Sequence, residues 1–94
     1  MSIKARPRPV DLAPAPWPTK MSPDPVGEIA RQFAVRLRAA LGERSIRSAS
    51  ADAGVNHATV IRILAGEVWP DLGTIAKLEL SLGAELWPNR IGDR

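Results

Sequence analysis

The sequence predicts an all-α protein of four to five short helices behind a disordered, proline-rich leader, and three observations predict it. Apolar residues recur at helical spacing in four segments between residues 24 and 88. Each of those segments opens on a capping residue and closes on a glycine. No run of five residues alternates apolar and polar as a half-buried strand would.

The elements follow in order. Residues 1–23 hold six of the nine prolines: Pro7, Pro9, Pro14, Pro16, Pro18 and Pro23. Proline removes a backbone donor and fixes φ, so this leader is expected to be extended, polyproline-like and mostly disordered. Asp24-Pro25 reads as a helix start, because Asp caps well and Pro suits the first helical position. Ile29, Phe33, Leu37 and Leu41 then mark one apolar face, and Gly42 ends the helix. Ser45 caps a second, shorter helix with Ile46, Ala49 and Ala53 on one face, stopped by Gly54. Val55 plugs the turn, and Asn56 caps a third helix with Val60, Ile63 and Leu64 inward, ending at Gly66. Asp71 caps a fourth helix, whose expected buried stripe is Leu72, Ile75, Leu78, Leu82 and Ala76, ended by Gly83. Leu86 and Trp87 are expected to fold back over the core, and Pro88 prevents continuation. Residues 24–88 thus form the domain, and residues 89–94 read as a frayed tail.

Composition narrows the chemistry. The 94 residues include no cysteine and one histidine, His57, so disulfides, thiolate metal sites and His-based catalytic pairs have little to build on. There is no nucleophile–base pair, phosphate loop or metal constellation, so neither an enzyme nor a cofactor is expected. No apolar stretch approaches the roughly 20 residues of a membrane span, and no secretory signal opens the chain, so a cytoplasmic location is expected. The net charge is +3. Residues 1–23 carry Lys4, Arg6, Arg8 and Lys20 against Asp11, whereas the nine cations and nine anions of residues 24–94 cancel. A uniformly basic nucleic-acid coat is therefore disfavoured, although a neutral domain can present its cations on one face.

The most informative stretch is SIRSASADAGVNHATVIRILAGE, residues 45–67. It holds a short helix, a glycine-containing turn and a second short helix, which is a helix-turn-helix. A small residue at Ala49 or Ser50 makes room for the second helix, and Gly54 and Val55 make and anchor the turn. The pattern Ser45, Ala49, Ala53-Gly54-Val55, Asn56, Thr59-Val60, Arg62-Ile63 and Gly66 resembles the lambda-repressor/Cro-like, or XRE, family of helix-turn-helix proteins. The likeness continues through Trp69-Pro70-Asp71-Leu72 and Thr74–Glu79, and covers residues 28–88.

That resemblance implies a lambda-repressor-like bundle whose third helix lies in the DNA major groove. Carried over position by position, it places His57, Ala58 and Arg62 against base edges, with Asn56 and Thr59 at the groove edge near phosphate or base. Arg62 becomes the foremost specificity residue through a bidentate contact with guanine, and Ala58 would meet a thymine methyl. One departure stands out. Many members place Gln where this chain has Ile46, so the phosphate contact falls to Ser45, Arg47 or the backbone donors at the helix start. The function implied is a sequence-specific DNA-binding transcriptional regulator, a repressor of phage or bacterial type acting by occlusion.

The leader admits three readings. Lys4, Arg6 and Arg8 can form an arm in the minor groove, or a nonspecific electrostatic tether. Alternatively, Met21 is the native start and the leader is no part of the protein. Trp69 reads as a core cover or as a neighbour of phosphate. The partners expected are double-stranded DNA and no membrane; the protein binds either as a weak homodimer or as a monomer helped by its leader. A rival reading makes the chain an antitoxin or other protein-interaction module whose leader grips a protein partner through Trp17.

Overall fold

The computed structural model describes residues 6–88, and among these the fold is all-α. A short 3-10 turn, Pro9–Leu12, precedes four helices: α1 Pro25–Leu41, α2 Ile46–Ala53, α3 His57–Leu64 and α4 Leu72–Leu82. No helix among the described residues is long and apolar enough to cross a membrane.

The helix starts follow the capping chemistry. Asp24 accepts from the Gly27 amide at 2.7 Å, Ser45 from Ser48 at 3.0 Å, Asn56 from Ala58 at 2.8 Å and Asp71 from Thr74 at 2.7 Å. Each bond satisfies a donor that the first helical turn cannot pair. Gly54 closes α2 with φ 74°, the left-handed conformation that lets the chain reverse into α3.

One cluster of side chains joins the helices. Phe33, Leu37 and Leu41 of α1 meet Ala49 of α2, Val60 and Ile63 of α3, Ile75 and Leu78 of α4, and Leu86 beyond it. Burying each of the larger members stabilises the fold by about 1.5–3 kcal/mol. Helix α2 packs against both α3 and α4, and α1 packs against α3. Ala49 and Ser50 are buried on α2, small enough for close helix approach, and the Ser50 hydroxyl is satisfied by the Ile46 carbonyl at 2.6 Å. Val55 is partly buried against the core, as its place in the turn requires.

Three expectations about apolar residues are corrected. Leu72 and Ala76 lie outside the buried stripe of α4, because Ile75, Leu78 and Leu82 already carry the side of the helix that joins the core. Leu86 folds back fully into the core, but Trp87 stays 45% exposed. Both backbone amides of this return, Leu86 and Trp87, donate to the Glu79 carboxylate at 2.8 and 3.0 Å. These bonds, Trp87 first, hold the Glu79 carboxyl below the usual carboxylate range.

Part of the leader lies within the described residues. Residues 6–23 pack along the bundle instead of extending away from it, while Lys4 lies outside the described residues. Pro9 is buried, and the 3-10 turn packs on α1. The anchor is Glu28, 2% exposed, whose carboxylate accepts from the Ser22 amide, twice from Arg31 and once from Gln32. Arg31 also donates to the Pro18 carbonyl at 2.9 Å. Prolines disfavour the interior of helices and sheets, yet they leave little backbone entropy to lose when apolar contacts dock the segment.

Candidate nucleic-acid interface

The helix-turn-helix brings most of the expected contact residues to one edge. Cap residues Ser45 and Asn56 set where α2 and α3 begin. Arg47, in the first turn of α2, reaches the first residue of α3: its Nη2 lies 3.4 Å from His57 Nε2. A guanidinium only donates, so Nε2 accepts in this contact. Arg47 is exposed and His57 half-buried, and the guanidinium keeps further donors for another acceptor.

Helix α3 divides cleanly into two sides. Val60 and Ile63 are buried against α1, α2 and the core, with Leu64 partly buried beside them. On a helix that anchoring turns residues 61 and 62 outward, with His57 and Ala58 half-buried at the margin. Arg62 is exposed, and among the described residues no acidic group pairs with it. Asp52, which could have drawn it, is paired with Arg44. Ala58 and Thr59 are half-buried on the flank. The Asn56 side-chain Oδ1 accepts from the Ala58 amide, leaving its side-chain NH2 for outward partners.

The sequence reading passed over Ile61. It is 45% exposed and lies on the helix surface beside Ala58, toward His57. The signal was present: Ile61 follows His57 by four residues, so inward Val60 and Ile63 force it outward.

The cations of the leader are placed elsewhere. Arg8 is paired with Asp11 at 3.1 Å, which raises the Arg8 pKa and lowers that of Asp11 through their side-chain hydrogen bonds. The Arg6 guanidinium stacks over the Trp69 ring, 4.3 Å from its centroid. Trp69 donates its ring N–H to the Pro7 carbonyl at 2.8 Å. It helps line an apolar cleft of about 190 Å³ with Val26, Ile29, Phe33 and Trp87. Trp17 is likewise engaged within the chain. Its ring N–H donates to the Leu64 carbonyl, the last of α3, at 2.9 Å, and its ring lies flat against Gly66. The Val10 amide donates to the Gly66 carbonyl at 2.9 Å. The leader therefore grips the C-terminal end of α3, the end away from His57.

No protein-family model and no curated protein matches this chain.

Proposed function

We propose that this chain is a sequence-specific DNA-binding protein, acting as a transcriptional regulator, that inserts the outward side of α3 into the major groove. The observation that carries this reading is the joint edge made by Arg47 and His57, in line with exposed Ile61 and Arg62. One edge holds donors for phosphate, and the adjoining helix side holds a guanidinium and apolar groups of the kinds that read guanine and thymine. Val60 and Ile63 fix the helix by packing, so these groups are presented on a rigid element. Repression by occupying promoter DNA is the simplest mechanism for such a chain.

The roles divide by chemistry. Arg47, Ser45 and the Asn56 amide position the protein on the backbone, a contribution that screens with salt. Arg62, Ile61, Ala58 and His57 discriminate bases. The test is selection of duplexes from a random-sequence pool by the full chain and by Arg62→Ala. The wild type should enrich one motif containing a preferred G·C pair, and Arg62→Ala should lose preference at that pair by about 1–3 kcal/mol while still binding DNA. A wild type that enriches no sequence ends the reading.

A further inference from the structure

Helix α3 has only eight residues, too few to hold its own ends firmly. Its first turn is fixed by the Asn56 cap and by Arg47 against His57. Its last turn carries Arg62. The carbonyls at the end of a helix lack partners within it. Those of Arg62 and Ile63 accept from the Glu67 and Gly66 amides, at 2.9 and 3.1 Å, as the chain reverses through Gly66 in the left-handed conformation. The Leu64 carbonyl accepts from the ring N–H of Trp17, 47 residues earlier in the chain.

Trp17 therefore closes the same turn whose amides bond the Arg62 and Ile63 carbonyls. Its ring covers Gly66 so closely that a Cβ there would have no room, and the Gly66 carbonyl is taken by the Val10 amide. Trp17 is in turn held from behind. Arg31 donates to the carbonyl of Pro18, the next residue, while its other donors grip buried Glu28. A chain of contacts thus runs from α1 through the leader to the last turn of α3, within one helical turn of Arg62.

We infer that Trp17 is a positioning residue for Arg62: it holds the last turn of α3 and so keeps the guanidinium in the geometry that a bidentate contact with a base requires. The inference rests on the DNA-binding reading and adds to it that a leader residue outside the helix-turn-helix governs selectivity. A guanidinium on a frayed turn loses more freedom when it engages a base, and that cost falls on the duplex carrying the preferred pair. The phosphate donors assigned to the start of α2 and of α3 lie at the other end of the helix and are spared. A purely structural anchor behaves differently. It changes the folded fraction, which weakens binding to every duplex alike and leaves the ratio between two duplexes unmoved.

Trp17→Phe keeps an aromatic ring at Gly66 and removes the N–H donor. Affinity is measured well below the melting temperature for the duplex the wild type selects and for the same duplex with its preferred G·C pair changed to A·T. The ratio of the two should fall about threefold or more in Trp17→Phe, while affinity for a scrambled duplex changes by less than about twofold. In the double variant Trp17→Phe with Arg62→Ala, the ratio should equal that of Arg62→Ala alone, because both residues act through one contact. In the free protein, amide exchange at Gly66 and Glu67 should quicken about tenfold and stay unchanged at Val60, whose amide bonds the Asn56 carbonyl. A wild type that selects no duplex ends the DNA-binding reading and the inference with it. A wild type that selects one, at a ratio unmoved by Trp17→Phe, overturns the inference alone. A double variant that loses further selectivity, or exchange that quickens equally at Val60, overturns it too.

Discussion

Asn56 serves two purposes that one substitution can separate. Its side-chain oxygen caps α3, and its NH2 stands at the edge assigned to DNA. Asn56→Asp keeps the cap and adds a negative charge at a helix N-terminus, worth about 0.3–1 kcal/mol to the fold. The same charge would repel phosphate. The melting temperature should therefore hold or rise while DNA affinity, read by fluorescence anisotropy, falls about tenfold or more. Ile61→Ala separates the same properties from the other direction. The side chain is half out of the core, so stability should change by no more than about 0.5 kcal/mol. Preference for thymine at one position of a selected duplex should weaken. Glu28 belongs to the fold alone. The guanidinium of Arg31, with Gln32 and the Ser22 amide, holds its carboxyl down at about 2, below the ordinary 4.5. A value depressed in the folded state gives stabilisation that is complete above pH 4.5 and drains away as the pH falls toward 2. Its size is on the order of 3 kcal/mol. Glu28→Gln should lower stability at neutral pH and flatten the loss between pH 4.5 and 2, as measured by urea unfolding across that range.

At the scale of elements, the helices were legible and the leader was not. Caps and glycines act on their own neighbours, so Asp24, Ser45, Asn56, Asp71 and Gly54 announce themselves in the linear sequence. Inward Val60 and Ile63 were legible for the same reason, and with them the outward position of Arg62. The width of a buried stripe is a different matter. Periodicity placed Leu72 and Ala76 near the α4 core face, but whether they are covered depends on α2, a tertiary fact. The contacts of leader residues 6–23 were not legible because proline rules concern secondary structure, and those contacts are long-range: Trp17 with Gly66, Val10 with Gly66, Trp69 with Pro7. Nothing local links those pairs. The consequence can be measured. Gly66 has φ 73°, and a Cβ there would lie 2.6 Å from the Trp17 ring. Gly66→Ala and Trp17→Ala should each destabilise the fold by about 2 kcal/mol or more. For a chain of this size that lowers the melting temperature by about 10 °C.

At the scale of the whole molecule, the distribution of charge decides how binding responds to salt. The surplus cations lie in the leader, yet Arg8 is neutralised by Asp11 and Arg6 is spread over Trp69. Arg8→Ala should leave the salt slope of DNA binding unchanged, whereas Arg47→Ala should reduce it by about one. The most direct test of the central claim is a backbone NMR titration of the full chain with a short duplex of arbitrary sequence at low salt, where nonspecific binding uses the same electrostatic face. The account predicts shifts concentrated at Ser45–Ser48 and Asn56–Arg62, with the α4 stripe and the leader around Trp17 unmoved. Shifts centred on the leader, or none at any position, would contradict it.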